Sequence, residues 1–565
     1  MTLYHFSKLG TAAVLTIMAL ITHRGTAAGA LNTPPSLNTT NTTSSERDKR
    51  LVYCSEGSPA GFDVAQYASS TDYTAAGGTI FNQLVQFERG SMKLGPALAE
   101  RWSISPDGRF YTFYLRRGVK FHTTPWFTPS REFNAEDVVF TFKRMLDPDM
   151  PFRKAYPSEF PDADFFGFNK IEKVEAVGSA PSYTVRFTMK TVSAPFLDSL
   201  AVPMASIYSA EYADQLLKAG KAPEINQKPI GTGPFIFEKY IKDAAIYFKG
   251  NSDYWKPEDV QLSRLVFAIT PDAKVRVQKI KKNECQAMIA PPLENIAELK
   301  ADPYLRVVGA KNKDFAINFL SYNVKHPPLS DNRVRHALDM VIDKKAIVDS
   351  VYFGHAQAAV APLPPPQWSY DKSLKDAPRD FKKAKKLLAQ AGYSNGFSIA
   401  LWAPSVARPY NPNSRLTAEI IQADWKKIGV DAKIVSYEWA EFLKRAFHGE
   451  HDAVLIGGNG INDPDYWLGG FLGCRSMRGG NFSQWCYETP DGHKPFDDLL
   501  QEATRILDRE KRTALYLKAQ KVFKHEQPYT AIAYPVNYTV LNKNVTGFKT
   551  YMFGTVVFYG VGLTR

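Results

Sequence analysis

The 565-residue sequence lacks the short motifs that accompany the commonest catalytic chemistries. It contains no Gly-x-x-x-x-Gly-Lys-Ser/Thr phosphate loop, no His-Glu-x-x-His zinc motif, no Cys-x-x-Cys pair and no Gly-x-Ser-x-Gly nucleophile turn. The segment Gly231-Thr-Gly-Pro-Phe235 begins like a phosphate loop, but it has no third glycine and predicts a tight turn before a strand. We therefore expect neither an enzyme nor a bound cofactor.

Long apolar runs are also scarce. The run Leu9–Thr22 has 14 residues, fewer than the roughly 20 needed to span a bilayer. It follows the basic Lys8 and precedes the small residues Gly25-Thr-Ala-Ala28, which is the layout of a secretory signal. We predict a signal peptide over 1–28, cleaved near Ala28, and a flexible, polar lead over 29–50. The protein is expected in the periplasm.

Cysteine is rare, with four residues in the chain. In an exported protein they suggest two disulfides, for which three connectivities are possible. Cys474 and Cys486 close a short loop and pair most naturally with each other, which would leave Cys54 for Cys285.

Charge of one sign is in modest excess, with 70 Lys and Arg against 57 Asp and Glu and a net charge of +13. The basic residues are spread along the chain, and the densest patch, 382–386, has the spacing of a solvated helix face. Nucleic-acid binding is therefore not expected, whereas a mildly positive field could attract anionic solutes.

Strand and helix signals alternate from Leu51 onward. Phe110–Leu115 predicts an aromatic strand, and Asn134 predicts the start of a helix with Asp137 at its third position. Residues 380–391 carry a helical apolar stripe that ends at Gly392, and 397–402 predict the strand that follows. This alternation predicts an α/β fold with mixed sheets.

Several segments together resemble the periplasmic solute-binding proteins that serve peptide-type ABC importers, known as extracellular solute-binding protein family 5, and above all its dipeptide-binding members. The resemblance covers roughly Leu51 to Gly547, and its segments are specific in this order and spacing. They are residues 51–59, 98–102, 111–122, 133–140, 229–235, 269–272, 282–285, 408–412 and 419–425.

The resemblance implies a two-lobed periplasmic binding protein of type II, in the large peptide-binding class, that closes on its ligand about a hinge. It implies lobe I over 51–312 with 533–565 returning to it, and lobe II over 313–532. It also implies the disulfides Cys54–Cys285 and Cys474–Cys486. The expected partners are a small peptide or related ligand and an ABC permease with its ATPase, and the protein is expected to be a monomer.

A peptide held between two lobes brings two charges out of water, and each needs an opposite charge and hydrogen bonds. Arg408 matches the family residue that binds the ligand carboxylate, a role suited to the bidentate grip of a guanidinium. Tyr410 is expected to form a nearby wall. Ser69, Ser70 and Thr71 correspond to the segment that lines the cleft from the first lobe.

The segment Ile456-Gly-Gly-Asn-Gly-Ile-Asn-Asp-Pro-Asp465 departs from the family pattern, because it has neither the Trp nor the ammonium-binding Asp. Gly457, Gly458 and Gly460 are expected to offer a flexible, open wall instead. Either Asp463 or Asp465 meets the ammonium group, or the ligand has no ammonium group at that place.

Three functions remain open. The first is import of di- or oligopeptides. The second is carriage of a modified peptide or non-peptide ligand, such as glutathione, haem or another anionic solute. The third is an importer-independent periplasmic sensor or chaperone.

Overall fold

The computed structural model describes most of the chain after residue 48. The predicted signal peptide and all but the last two residues of the predicted lead lie outside the described residues. In the part that is described, no helix is long and apolar enough to cross a membrane. The described residues are 49–67, 69–160, 162–309, 314–477, 479–549, 551 and 554–564.

A seven-stranded mixed sheet has its core in buried Leu, Phe, Tyr and Val side chains on both faces. In the order of the sheet, its strands are β12 (Leu305–Val308), β19 (Thr539–Asn542), β11 (Ala287–Ile289), β1 (Arg50–Ser55), β10 (Arg264–Ile269), β9 (Ala245–Gly250) and β8 (Phe235–Ile241). Strand β1 lies between β10 and β11 and is parallel to both, while the outer strands pair antiparallel.

The strands of a second, six-stranded sheet are, in order, β14 (Ala356–Ala358), β18 (Tyr529–Pro535), β13 (Ala316–Tyr322), β17 (Ala453–Asn459), β15 (Phe397–Trp402) and β16 (Val430–Val435). All seven residues of the inner strands β13 and β18 are buried. Such continuous burial is typical of a strand covered on both faces. Strands β15 to β18 run in one direction, and β13 and β14 run in the other.

The remaining strands of the described residues form three smaller sheets. A four-stranded antiparallel sheet has the order β4 (Ala99–Ile104), β5 (Phe110–Leu115), β7 (Thr184–Met189) and β6 (Ile171–Ala176). The two-stranded sheets pair β2 (Val85–Phe87) with β3 (Leu94–Pro96) and β20 (Val545–Thr546) with β21 (Gly562–Leu563).

Many helices begin at an Asp, Asn or Ser cap, which satisfies backbone donors of the first turn. The predicted cap at Asn134 is confirmed, because its side chain and that of Asp137 form a reciprocal capping box. The α-helices are α1 (Ser70–Asp72), α2 (Ala135–Leu146), α3 (Pro151–Ala155), α4 (Asp162–Phe165), α5 (Phe196–Ser199), α6 (Ala210–Lys218), α7 (Ala273–Lys281), α8 (Ile296–Ala301), α9 (Asn332–Val341), α10 (Lys344–Ser350), α11 (Phe381–Gln390), α12 (Ser414–Lys426), α13 (Trp439–Phe447), α14 (Pro464–Phe471), α15 (Pro495–Arg505) and α16 (Arg509–Glu526).

The chain passes between the two large sheets at two places. It leaves the first sheet after β12 and enters the second at β13, and it returns between β18 and β19. The return falls at 536–538, a few residues after the expected start of the returning segment at 533, because β18 continues to Pro535. The limits of the two lobes stay a prediction.

Both disulfides, Cys54–Cys285 and Cys474–Cys486, are present. The long-range bridge links the end region of β1 to the residues just before β11. It therefore fixes two neighbouring strands of the seven-stranded sheet, while the short bridge closes a loop after α14.

Candidate functional site

A cavity of about 1770 Å³ lies between the edges of the two large sheets. The six-stranded sheet contributes the chain that follows the carboxyl ends of β15 to β18 and the chain that precedes β13. This is the edge at which open α/β sheets bind ligands. Its wall includes Asp314, Arg408, Trp439, Gly460 and Asn537.

The seven-stranded sheet meets the cavity with the corresponding edge. The carboxyl ends of the parallel strands β1, β10 and β11 lead into the wall, as does the amino end of β19. Residues at these four ends are Glu56, Asp272, Ala290 and Tyr538. The predicted cleft residues Ser69, Ser70 and Thr71 lie on the same side.

Arg408 is held by a tight turn on the cavity wall. The backbone N–H groups of Arg408 and Asn411 each donate to the other residue's carbonyl oxygen at 2.9 Å. The buried Asn411 side chain donates to Asn318 in β13 at 3.3 Å and to Thr417 in α12 at 3.1 Å. The turn is therefore fixed to the sheet and to a helix, which gives the guanidinium a rigid support.

The guanidinium of Arg408 has no salt bridge with any carboxylate of the described residues. Its Cζ lies 4.2 Å from the centroid of the Trp439 ring at the start of α13, and its Nε is buried with no hydrogen-bond acceptor in the described part of the chain. A cation stacked on an indole and left without an anion is suited to an incoming carboxylate or other anion.

Tyr410 lies behind the cavity wall rather than on it, which corrects the expectation that it forms the wall itself. Its backbone carbonyl accepts a hydrogen bond from the Tyr352 hydroxyl at 2.8 Å. Burial raises the pKa of Tyr410 to about 12, although the charge of Arg408 acts in the opposite direction. Tyr410 thus supports the turn that presents Arg408.

The Ser69–Thr71 segment begins the short helix α1. Ser69 caps it by accepting from the backbone N–H of Asp72, and Ser69 Oγ also donates to the Asp72 carboxylate. Thr71 Oγ1 donates to Glu56 at 2.7 Å. Burial raises the pKa of Asp72 to about 6. The acidic groups beside this segment are therefore engaged within the protein.

The glycine-rich segment is a strand rather than a flexible, open wall. Gly457 and Gly458 lie in β17, paired with β13. A Cβ on Gly458 would lie 2.8 Å from the Phe471 ring, and one on Gly457 would lie 2.7 Å from the Tyr410 ring. Gly458 does not line the cavity, whereas Gly460 does. These glycines allow aromatic rings to pack directly on the strand.

Asp463 lies away from the cavity and does not meet a ligand there. It caps α14 and forms a buried ion pair with Arg512 at 2.8 Å. Asp465 is similarly bound by Arg475 at 2.8 Å. Both acids near the glycine-rich segment are thus neutralised by arginines inside the protein. The spacing of the acids in the sequence does not indicate these partners.

Sequence reasoning missed several wall residues. Trp439 stands at the start of α13, four residues after the end of β16, and a lone aromatic residue at a helix start does not by itself indicate a binding site. Asp314 and Asn537 lie in the two segments that join the sheets. Asn537 N donates a hydrogen bond to Asp314 Oδ2 at 3.0 Å, although the two residues are more than 200 positions apart in the sequence.

Comparisons with known proteins agree on one family. The family model for bacterial extracellular solute-binding proteins, family 5 middle, matches residues 93–479. A di/tripeptide-binding protein of Pseudomonas aeruginosa is 52% identical over 517 residues, covering 91% of this chain and 94% of that protein. A heme-binding protein A of Haemophilus influenzae is 41% identical over 521 residues, covering 92% and 93%. The solved structure of a dipeptide-binding protein from a Pseudoalteromonas species in complex with Met-Leu has a TM-score of 0.84 and 34% identity, covering 91% of this chain and all of that one.

Proposed function

The chain belongs to the bacterial extracellular solute-binding proteins of family 5, and from that premise we propose that it is the substrate-binding component of an ABC importer for short peptides. The ligand binds in the cavity between the two large sheets and is delivered to a permease driven by its ATPase. The proposal includes export to the periplasm after cleavage near Ala28, and a binding role without catalysis.

The observation that carries the proposal concerns the surroundings of the Arg408 guanidinium. Arg408 presents this group to a large cavity, on a rigid turn, and no carboxylate of the described residues forms a salt bridge with it. A charge in such a place is costly unless a ligand supplies the counter-ion. A peptide carboxylate has the planar, bidentate geometry that a guanidinium prefers. The peptides bound by relatives support the same ligand class.

A thermal-shift panel tests this function directly. Dipeptides, tripeptides, glutathione and haem are each added at a hundred times their dissociation constant, or at the highest usable concentration. Binding at that ratio adds about 2.7 kcal/mol to the free energy of unfolding, which for a chain of this size raises Tm by about 2–3 °C. If no peptide raises Tm, the proposed function is wrong.

The role of Arg408 is tested by calorimetry with one peptide. Arg408→Ala should lower affinity by about 2–5 kcal/mol, because it leaves the ligand carboxylate buried and unpaired. Lys274→Ala is the matched control, since Lys274 is another cation on the wall. The Arg408→Ala variant should bind a carboxyl-amidated peptide as the unaltered protein does. Equal affinity of both proteins for the free-acid peptide would remove Arg408 from the site.

A second candidate is a carrier of a bulkier ligand such as haem. The cavity of about 1770 Å³ exceeds the roughly 300–1,000 Å³ typical of small-molecule pockets, and a heme-binding relative is 41% identical. Aromatic side chains on the wall, including Phe353, Trp439, Phe447 and Tyr551, would suit a flat apolar ring. Titrating the protein with haem while recording the Soret absorbance of the haem distinguishes a haem carrier from a peptide-binding protein.

A further inference from the structure

Asp314 is a carboxylate in the wall of the cavity, at the junction between the two large sheets. It lies two residues before β13, where the first connection between the two large sheets enters the second of them. Its Oδ2 accepts a hydrogen bond from the backbone N–H of Asn537, in the returning connection, at 3.0 Å. No cation of the described residues forms a salt bridge with it. Burial raises the pKa of Asp314 to about 6.

Most other carboxylates of the wall are already engaged. Glu56 accepts hydrogen bonds from Thr71 and, at 3.3 Å, from the Tyr53 hydroxyl. Asp72 accepts from the backbone N–H of Ala60 at 2.7 Å and from Ser69. These groups have less capacity left for a ligand than Asp314.

Three further acids line the wall besides these. Asp272 caps α7 by accepting from two backbone N–H groups, and Glu294 is exposed to solvent. Glu159 is exposed on the wall and belongs to the loop between α3 and α4, outside both large sheets. Asp314 differs from it in lying at the same edge of the same sheet as Arg408.

Asp314 and the Arg408 turn are both tied to β13. The turn is joined to this strand through the hydrogen bond between Asn411 and Asn318, and Asp314 lies two residues before the strand begins. Asp314 and Arg408 both line the cavity. A small ligand there can therefore meet a cation and an anion carried by one sheet.

We propose that Asp314 is the anionic partner of the ligand's ammonium group. Together with Arg408 it recognises both charges of a short zwitterionic peptide along one edge of the six-stranded sheet. This inference rests on the proposed function and adds a requirement to it: the site selects peptides with a free amino terminus. The neutral glycine-rich segment beside it contributes shape and backbone, and no charge.

The test is isothermal titration of dialanine and N-acetyl-dialanine into the intact protein and its variants. The unaltered protein should bind dialanine at least tenfold more tightly than the acetylated form. Asp314→Asn should lower dialanine affinity at least tenfold and leave N-acetyl-dialanine affinity unchanged. Glu159→Gln is the matched control and should change neither. Asp314→Ser, with a smaller side chain, should repeat the selective loss.

The outcomes separate the inference from the function on which it rests. If the unaltered protein binds no peptide, the proposed function fails. If it binds dialanine and Asp314→Asn binds it equally well, the function stands and the inference is wrong. Equal binding of free and acetylated peptide by the unaltered protein also overturns the inference, and this measurement does not depend on any variant folding. Loss of dialanine binding in Glu159→Gln alone would place the anion there instead.

Discussion

The guanidinium of Arg408 lies over the indole ring of Trp439, with 4.2 Å between Cζ and the ring centroid. The two residues come from different elements, the turn after β15 and the start of α13, which follow neighbouring parallel strands. The stacking fixes the plane of the guanidinium. A fixed plane limits the directions from which a carboxylate can make two parallel hydrogen bonds.

Trp439→Ala should therefore weaken ligand binding without removing a charge. A stacked cation on an aromatic ring contributes roughly 0.5–2 kcal/mol, so we expect peptide affinity to fall by about twofold to thirtyfold in calorimetry. Trp439→Phe keeps a ring under the guanidinium and should lose less. If the alanine and phenylalanine variants bind equally well, the ring does not position Arg408.

Gly457 should be intolerant of a side chain. A Cβ there would lie 2.3 Å from the Ile317 carbonyl oxygen and 2.7 Å from the Tyr410 ring. Gly457→Ala must displace Tyr410 or bend β17, and each change moves the turn that carries Arg408. We expect a lower Tm and at least a tenfold loss of peptide affinity.

The control for this substitution is Gly57→Ala. Gly57 lies on the cavity wall, and a Cβ there would meet no atom within 4 Å. Both Tm and affinity should remain near those of the unaltered protein. Normal binding by Gly457→Ala would show that the turn is not fixed by its contact with the strand.

Local signals explain how much of the fold could be predicted from the sequence. The predicted strands Phe110–Leu115 and 397–402 coincide with β5 and β15, and the helix over 380–391 is α11 with Asp380 as its cap. Aromatic alternation, an apolar stripe and capping residues act within a few positions. These local signals therefore specify a helix or strand whichever part of the chain packs against it.

The site was predicted only in part, because its geometry depends on distant residues. Arg408 and Ser69–Thr71 do reach the cavity wall. Asp463 does not, because Arg512, 49 positions later, neutralises it inside the protein. Tyr410 is buried because Gly457 admits its ring against the strand. Such pairings depend on tertiary packing that residue type and spacing leave undetermined.

The two disulfides should differ in their contribution to stability. They join residues 231 and 12 positions apart. On the chain-entropy model, the long bridge stabilises by about 5 kcal/mol and the short one by about 3. The double variant Cys54→Ser/Cys285→Ser should therefore unfold at lower urea than Cys474→Ser/Cys486→Ser. The reverse order would mean that loop length does not control their contributions.

Asp198 in α5 should contribute stability at low pH that is lost as the pH rises from about 4 to about 7. Burial, and then the negative charge of Asp463, raise the pKa of Asp198 to about 7, while Arg512 and Arg509 oppose this. The ordinary pKa of an unfolded Asp is about 3.9. Between these two values Asp198 therefore holds its proton more firmly in the folded state than in the unfolded state, and its contribution to the free energy of unfolding decreases with rising pH.

Asp198→Asn removes this titration and tests its sign. At pH 8 the variant should have a higher Tm than the unaltered protein, because it avoids burying a charge near Asp463. At pH 4 both carry a neutral group at position 198, so their Tm values should agree. Asp149→Asn, at an exposed surface ion pair with Lys154, is the control and should shift Tm little at either pH. A lower Tm for Asp198→Asn at pH 8 would mean that the Asp198 charge is stabilised in the folded protein, because Arg512 and Arg509 then outweigh burial.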